Sequence, residues 1–250
     1  MDHPFSPTRR TCDYQIIQPL ATKRTQFQHI ELLETATFGK SLFIDKKPQS
    51  SSYDHFIVNE ALVHPALTLH PHPRRVFLAG VGPGSSLCEV LKHPSIEEVL
   101  VCDVDEEAIL FYKEYMNEWH AGAFDDPRVQ LICDDARACL AAQASRFDCI
   151  FVDVSDPLEG SPTIPLFTRE FYTIAQERLL PGGIFVSQAG RTNVNNLAYH
   201  RGILWTICDV FAHTASYTVH YPFYAESWGF VFASNTDYNA TTINATDIDY

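Results

Sequence analysis

The sequence predicts an α/β protein with a doubly wound sheet of seven strands, preceded by a small N-terminal β domain. From residue 74 to about residue 211, apolar segments typical of buried strands alternate with segments of helical spacing. Such alternation is typical of a parallel sheet with helices on both faces. Two apolar segments without an intervening helix, 214–221 and 229–234, then indicate an antiparallel closing pair.

The predicted elements of this sheet follow one another in regular order. The strands cover residues 74–80, 97–104, 128–135, 147–154, 182–190, 214–221 and 229–234. The helices between them cover residues 86–93, 106–119, 136–144, 168–179 and 195–211. In a sheet of this kind the ligand binds beyond the carboxyl ends of the strands.

The chain divides into four predicted parts. Residues 1–20 are polar and are expected to be a flexible N-terminus, and residues 235–250 a flexible tail. Residues 21–72 contain apolar segments for two short strands and a connecting helix. The segment His70-Pro71-His72-Pro73 ends that helix, so the large domain is expected to span 73–234.

Charge restricts the expected partners. The 250-residue chain has 18 Lys and Arg against 31 Asp and Glu, a formal net charge of -13. A nucleic acid is not an expected partner, because its phosphates are bound by basic patches. A small cationic molecule is an expected partner, because a negative field attracts it.

Membrane and secretion signals are missing from the sequence. No apolar run approaches the ~18 residues of a membrane span, and no apolar signal-peptide core is present. Seven cysteines are scattered without a Cys-x-x-Cys pair. These observations predict a cytoplasmic protein with reduced thiols and no membrane partner.

Three histidines fall close together in the sequence. His64, His70 and His72 precede or lie within the proline-rich connector, and no acidic or cysteine partner is evident. They are interpreted as solvated linker residues, and no metal site is predicted.

The first candidate site element is a glycine loop, Gly80-Val81-Gly82-Pro83-Gly84-Ser85, between a predicted strand and a predicted helix. Glycines in such a loop let backbone N–H groups approach a ligand at the start of the helix. The third glycine of the dinucleotide motif is absent, because Ser85 stands there. This difference disfavours a nicotinamide cofactor.

Carboxylates follow the next three strands, at Asp103, Asp135 and Asp153. Each one alone would be interpreted as a helix N-cap at a strand-to-helix turn. Because parallel strands bring their ends to one edge, three in succession after a glycine loop favour an adenosine pocket. Asp103 would bond the ribose hydroxyls, and Asp135 the amino group of adenine.

A fourth carboxylate, Asp156, follows Asp153 by three residues. Two acids beside an adenosine pocket favour a cationic amine as substrate. An alkylamine is an ammonium ion at neutral pH, and exposing its lone pair costs roughly 4 kcal/mol. Asp153 is therefore the candidate base that orients the amine and removes its proton, and Asp156 the candidate anchor.

Longer motifs extend from about Thr22 to Ser234. They include FGKSLFID, EALVHPAL, the glycine loop, CDVD, DVSDPLEG, LFTREFY, GIFVSQAG and SWGF. With these motifs the chain resembles the polyamine aminopropyltransferases, or spermidine synthase family, and most closely its thermospermine-synthase-like branch. The resemblance implies a methyltransferase-like (Rossmann-like) sheet, decarboxylated S-adenosylmethionine as co-substrate, and assembly into dimers or tetramers, of which a homodimer is expected here.

Site roles also follow from the resemblance. Asp153 looks like the catalytic aspartate. The positions that look like donor-binding residues are Gln49, Gly80, Gly82, Gly84, Asp103, Val104, Asp135 and Ala136. The positions that resemble substrate-binding residues are Asn59, Asp156, Gln188 and Tyr224. Tyr221 competes with Tyr224, because the alignment there needs a one-residue gap.

Three positions depart from the family pattern. Pro83 stands where the family has an acid, as in the Gly-x-Gly-Pro-Gly loop of ordinary methyltransferases. That acid would attract the amine of the decarboxylated donor and repel the carboxylate of intact S-adenosylmethionine. Val58 replaces a tyrosine, and His55 replaces a further acid.

Three functions remain open at this point. The first is aminopropyl transfer from decarboxylated S-adenosylmethionine to a di- or polyamine. The second is transfer of a methyl or 3-amino-3-carboxypropyl group from intact S-adenosylmethionine in specialised metabolism. The third is a non-catalytic nucleoside-binding homologue, which retention of Asp153 disfavours.

Overall fold

The computed structural model describes residues 14–157, 161–194 and 197–238, which form two β-sheets and the helices packed on them. The smaller sheet is antiparallel, with its four strands in sequential order. They are β1 (Ile16–Arg24), β2 (His29–Thr35), β3 (Gly39–Ile44) and β4 (Lys47–Ser51). Ile30 and Leu32 of this sheet share a buried apolar cluster with Tyr112 and Trp119, which attaches the small sheet to the large domain.

The outer strands of the small sheet differ from the prediction. β1 begins at Ile16, so the expectation of an irregular N-terminus is wrong from that residue onward. β1 is held by backbone pairing with β2, and its mostly exposed side chains give no alternating pattern. The polar strand β4 pairs with β3 in the same way. Residues 1–13 lie outside the described residues.

The larger sheet has seven strands in the order β10-β11-β9-β8-β5-β6-β7. They are β5 (Arg75–Ala79), β6 (Glu98–Asp103), β7 (Val129–Cys133), β8 (Phe147–Val152), β9 (Leu179–Arg191), β10 (His213–Tyr221) and β11 (Glu226–Ser234). Strands β5 to β9 are parallel, whereas β11 pairs antiparallel with both β9 and β10. The predicted doubly wound, methyltransferase-like sheet with an antiparallel closing pair is confirmed.

Helices cover both faces of this sheet. They are α1 (His55–Leu69), α2 (Ser85–Leu91), α3 (Glu106–Tyr115), α4 (Asn117–His120), α5 (Ala136–Ala142), α6 (Arg169–Arg178) and α7 (Leu197–Cys208). The helix predicted over 106–119 is interrupted at Met116, whose φ and ψ of -126° and 38° are not helical. No helix in the described ranges is long and apolar enough to cross a membrane.

Alternate residues of each buried strand enter different apolar cores, because side chains along a strand point to opposite faces. Val76 and Leu78 of β5 belong to the core that contains Val63 of α1. Phe77 and Ala79 belong to the core on the other face, under α5, α6 and α7. By its packing α1 therefore belongs with the large sheet, whereas the sequence grouped it with the small β domain.

The helix α1 contains a proline, Pro65, which removes one backbone hydrogen bond of the helix. A side chain outside the helix replaces that bond. Pro65 has no N–H, so it cannot donate to the carbonyl of Ala61 four residues earlier. The hydroxyl of Tyr217 on β10 donates to that carbonyl oxygen at 2.7 Å. The ring of Tyr217 also stacks on Phe230, with centroids 5.3 Å apart. Tyr217 thus restores the missing bond and joins α1 to the sheet.

The beginning of the predicted flexible tail is held by hydrogen bonds. The Asn235 side-chain oxygen accepts from Gln176 Nε2 at 3.1 Å and from the Ala212 N–H at 3.3 Å. Tyr238 donates to the carbonyl oxygen of Gly182 at 2.5 Å. The tail prediction is therefore wrong for residues 235–238, and residues 239–250 lie outside the described residues.

The interpretation of His64 and His70 as solvated linker residues is also wrong. His64 lies within α1, and its ring nitrogens are 3.0 Å from Glu89 Oε2 and 2.8 Å from His93 Nε2. Glu89 is buried and is also paired with Lys92, at 2.6 Å. His70 is buried beside Asp148. Glu60, His64 and Glu89 bring metal-ligand atoms within 4.8 Å of one another, but internal ion pairs already engage His64 and Glu89.

Replacing Tyr217 with Phe should lower the free energy of unfolding by about 1–2 kcal/mol, because the Ala61 carbonyl loses its donor while the ring stack remains. Urea denaturation at neutral pH measures this change. The same substitution at Tyr53, which is 67% exposed, is the control and should have almost no effect. In a Pro65→Ala variant the N–H of residue 65 can donate to the Ala61 carbonyl. Adding Y217F to that variant should therefore lower the free energy of unfolding by less than it does in the wild type. An equal cost in both backgrounds would contradict this account.

Candidate active site

The carboxyl ends of β5, β6, β7 and β8 lie along one edge of the large sheet, and the glycine loop leaves β5 there. Gly80, Gly82 and Gly84 have positive φ angles of 75°, 46° and 88°. A side-chain carbon at Gly80 would lie 2.4 Å from the Asp153 carbonyl oxygen, and one at Gly84 would lie 2.6 Å from His120 Cβ. At Gly82 no described atom lies within 4 Å. Gly82 therefore faces open space that a ligand can occupy.

Asp103 is bonded to the glycine loop. Its Oδ2 accepts from the Val81 N–H at 3.0 Å, and its Oδ1 accepts from the Asp105 N–H at 3.1 Å. The N-cap of α3 is instead Asp105, which accepts from the Ala108 N–H at 3.1 Å. Burial raises the pKa of Asp103, and the backbone donors oppose that shift. Helix capping therefore does not account for Asp103.

Asp135 does cap a helix. Its Oδ1 accepts from the Ala138 N–H at 2.8 Å at the start of α5. Asp135 is exposed, so capping and a ligand contact through its other oxygen are compatible. Nearby along the edge, Val104 is 39% exposed and Ala136 is buried.

Asp153 occupies the centre of the edge. Its N–H donates to the Ala79 carbonyl at 2.9 Å, which fixes the end of β8 against β5. Its Oδ2 accepts from the hydroxyl of buried Ser86 at 2.5 Å. Burial raises the pKa of Asp153, the Ser86 bond lowers it, and the charge of Asp103 raises it further. Asp153 is thus a carboxylate adapted to accept a proton, and part of its surface remains exposed.

Gln188 and Asp156 lie beside Asp153. Gln188 Nε2 donates to the Val154 carbonyl at 2.7 Å, and its Oε1 accepts from the Gly190 N–H at 3.2 Å. Burial raises the pKa of Asp156. The charge of Arg191 and a bond from Gln188 lower that pKa. Gln188 thus holds the segment that leads from Asp153 to Asp156.

The structure favours Tyr224 over Tyr221 as the aromatic residue of this region. Burial is the main cause that raises the pKa of Tyr224. The negative charges of Asp156 and Asp153 raise it further. Its hydroxyl donates to the Gln49 carbonyl at 2.9 Å, so β4 of the small sheet closes this side. Tyr221 is buried behind it, with ring centroids 4.6 Å apart.

The structure does not show a site contact for Asn59. Its side-chain amide donates to the His55 carbonyl of its own helix at 2.6 Å. The His55 ring packs on Trp119, with centroids 5.5 Å apart, and burial lowers its pKa. Val58 packs among apolar neighbours. The assignment of Asn59 to the substrate site stays a prediction.

Three residues around the aspartates were not predicted from the sequence. Ser86 could have been found from its place in the first turn after the glycine loop. Arg191 and Lys47, whose charges act on Asp156, had no local signal, because they come from β9 and from β4 of the other sheet. Arg191 is itself paired with Glu226 at 2.6 Å.

Comparison with known families agrees with this geometry. Residues 55–245 match the spermine/spermidine synthase domain, and residues 5–51 match the spermidine synthase tetramerisation domain. The chain belongs to the spermine/spermidine synthase family. The predicted resemblance to this family is confirmed.

The chain is also similar to individual proteins of known name. The polyamine aminopropyltransferase of Aeropyrum pernix is 43% identical over 233 residues, which cover 92% of this chain and 73% of that protein. The thermospermine synthase ACAULIS5 of Arabidopsis thaliana is 41% identical over 217 residues, 86% of this chain and 64% of that protein. The chain thus spans about two thirds to three quarters of these relatives.

Solved structures of the family have the same fold. A spermidine synthase in complex with the transition-state analogue AdoDATO superposes with a TM-score of 0.86 and 27% identity, covering 94% of this chain and 78% of that chain. The spermidine synthase of Thermotoga maritima gives a TM-score of 0.83, also at 27% identity, covering 94% and 77%.

A Gly82→Ala variant should lose affinity for methylthioadenosine, the nucleoside product that the predicted donor leaves after aminopropyl transfer, because the added methyl group enters the open space at the glycine loop. Gly122 provides a matched control, since it also has a positive φ and no atom of the described chain near its Cβ position. Both variants should lose about 1 kcal/mol of stability. Isothermal titration should detect weaker binding in G82A only. Equal affinities in G82A and G122A would exclude the loop from the nucleoside site.

Proposed function

We propose that this protein transfers an aminopropyl group from decarboxylated S-adenosylmethionine to an amine of a di- or polyamine. One observation carries the proposal: a partly buried carboxylate of raised pKa, Asp153, lies at the sheet edge between the glycine loop and Asp156. The similarity to a relative named polyamine aminopropyltransferase supports it.

The donor would be held through its nucleoside. Asp103 would accept hydrogen bonds from the ribose hydroxyls, and exposed Asp135 from the adenine amino group, with Val104 and Ala136 lining the base. The open space at Gly82 supports a ligand against the loop backbone. Gln49, fixed on β4 beside Tyr224, would lie at the sulfonium end.

The chemistry is a direct displacement. The amine nitrogen forms a bond to the carbon beside sulfur while the carbon–sulfur bond breaks, and the sulfonium leaves as a neutral thioether. The amine must first lose a proton, at a cost of roughly 4 kcal/mol at neutral pH. Asp153 would orient the amine and accept this proton, which its raised pKa makes easier. Asp156 and Gln188 would hold the rest of the acceptor.

A second candidate function rests on Pro83. The loop has no carboxylate at this position to attract the amine of a decarboxylated donor. Intact S-adenosylmethionine, with a carboxylate that an acid would repel, is the alternative donor. The transferred group would then be methyl or 3-amino-3-carboxypropyl.

The match of residues 5–51 to a tetramerisation domain supports an oligomer, and a homodimer is its proposed smallest unit. Ile16, Ile17 and Leu20 on β1 are 55%, 61% and 38% exposed, as residues of a contact face would be in a single chain. The six cysteines in the described ranges are free thiols, which supports the proposed cytoplasmic location.

Replacing Asp153 with Asn should lower kcat by about 10²–10⁴-fold, because the amide cannot accept the amine proton. Affinity for methylthioadenosine should remain nearly unchanged. In the wild type, kcat/KM should fall as the pH falls through the raised pKa of Asp153, since the protonated acid is inactive. Asp156→Asn is the comparison, and should mainly raise the acceptor KM. Normal turnover in D153N would reject the role of Asp153 as the base.

Titration with both donors separates the two candidate functions. The wild type should bind decarboxylated S-adenosylmethionine more tightly than the intact donor. Pro83→Asp should increase that preference about fivefold, as expected for one partly solvated ion pair of ~1 kcal/mol. Pro83→Ala controls for loss of the ring. Tighter binding of the intact donor by the wild type would replace the first function with the second.

A further inference from the structure

The turn that joins β1 to β2 makes a buried polar contact with the large domain. Thr25 begins this turn, and its hydroxyl donates to Oδ2 of Asp105 at 2.7 Å. From the same turn, Nε2 of Gln28 donates to the same oxygen at 2.8 Å. Thr25 is 8% exposed and Asp105 is 3% exposed, so water competes little for the bond between them. The small sheet is thus hydrogen-bonded to the N-cap residue of α3.

The backbone of the turn orients the hydroxyl of Thr25. This oxygen accepts from the N–H groups of Phe27 and Gln28, both at 3.1 Å. A hydroxyl has two lone pairs and one proton, so these two bonds leave the proton to be donated. Asp105 Oδ2 is the nearer acceptor, since the Gln28 carbonyl lies at 3.4 Å. The Thr25 hydroxyl therefore fixes Asp105 relative to the turn.

Asp105 in turn contacts Asp103, the proposed ribose-binding residue. Oδ1 of Asp105 accepts from the Ala108 N–H at 3.1 Å, so both of its carboxylate oxygens are engaged. Its own N–H donates to Oδ1 of Asp103 at 3.1 Å, and the Val81 N–H donates to Oδ2 of Asp103 at 3.0 Å. The carboxylate of Asp103 is therefore held by one N–H of the glycine loop and one N–H of a residue bonded to the small sheet.

Other contacts of the small sheet do not fix the direction of the Asp105 N–H. The apolar cluster around Ile30 and Trp119 attaches the sheet to the large domain, but apolar attraction has no preferred direction. The ion pair between Lys23 and Glu107 has side chains that are 40% and 53% exposed, and such a pair contributes little. The buried hydrogen bonds of the turn act on Asp105 directly.

We propose that Thr25 is a positioning residue for the donor, which acts through Asp105 to hold the carboxylate of Asp103 in its ribose-binding orientation. The assignment rests on the proposed function, in which Asp103 accepts hydrogen bonds from the ribose hydroxyls. A binding group needs supporting contacts that keep its oxygens aimed at the ligand. The small sheet thereby contributes to donor affinity through a residue of its first turn.

The test is Thr25→Val, which keeps the branched shape of the side chain and removes the hydroxyl. Isothermal titration should show about fivefold weaker binding of methylthioadenosine, the loss expected for one hydrogen bond to a charged group that acts indirectly. The KM for decarboxylated S-adenosylmethionine should rise by the same factor. The kcat and the acceptor KM should stay within about twofold of the wild type. Thr25→Ser keeps the hydroxyl and should retain the wild-type affinity.

Thr35→Val is the matched control. Thr35 begins the next turn of the same sheet and is 2% exposed. Its hydroxyl donates to the Gly39 carbonyl at 3.1 Å and accepts from the Phe38 N–H at 3.2 Å. T35V should lower stability in urea about as much as T25V does, because each variant loses a buried turn hydroxyl. Its affinity for methylthioadenosine should be unchanged.

A second variant, Asp105→Asn, tests the route from Thr25. While the amide oxygen of Asn caps α3, its NH₂ group occupies the Oδ2 position and cannot accept from the Thr25 hydroxyl. Adding T25V to D105N should therefore weaken methylthioadenosine binding by less than twofold. An equal loss with and without D105N would show that Thr25 does not act through Asp105.

The outcomes separate this assignment from the proposed function. If the wild type does not bind methylthioadenosine, the proposed nucleoside site fails, and the role of Thr25 fails with it. If the wild type and T25V bind equally well, only the role of Thr25 is overturned. Equal weakening in T25V and T35V, or a T25V protein that does not fold, would also overturn it, because the hydroxyl would then serve the fold in general.

Discussion

A carboxylate that is removed from water loses much of its hydration energy, and the arrangement of this site follows from that cost. Hydrogen bonds from two backbone N–H groups, one of them in the glycine loop, replace part of the lost hydration of Asp103. A hydrogen bond from the hydroxyl of Ser86 does the same for Asp153. These partners do not remove the effect of burial, so the pKa of both groups remains raised. The site thus holds carboxylates ready to bind cations or accept protons.

The small sheet completes this site as well as packing against the large domain. Asp54, just before α1, accepts from the Ser51 hydroxyl at 2.6 Å and from the Phe223 N–H at 2.8 Å. The following residue, Tyr224, donates to Gln49 on β4. The short 3₁₀ turn Pro222–Tyr224 is therefore held between the two sheets. Movement of the small sheet would displace both the proposed donor-side glutamine and the acceptor-side tyrosine.

The changes from the family pattern are unevenly distributed. Asp103 and Asp135, the carboxylates proposed to bind the nucleoside, match the pattern on which the predicted resemblance rests, and so does Asp153. The predicted departures, at Pro83, Val58 and His55, instead fall at positions expected to surround the transferred chain or the acceptor. If those positions have the expected roles, cation binding in this protein depends more on the remaining carboxylates, Asp153 and Asp156.

The sequence by itself determined the order of strands and helices in the large domain, because apolar periodicity is a local property of the chain. It also placed Asp103, Asp135 and Asp153 at strand ends, and family membership followed from the motifs around them. It did not reveal β1 and β4, since backbone pairing holds them and their side chains show no apolar alternation. Only the tertiary structure decided that Asp105 rather than Asp103 caps α3, that His64 bonds Glu89, and that Tyr224 bonds Gln49. Those contacts join residues distant in the chain or choose between neighbouring ones, so they depend on packing rather than on local sequence.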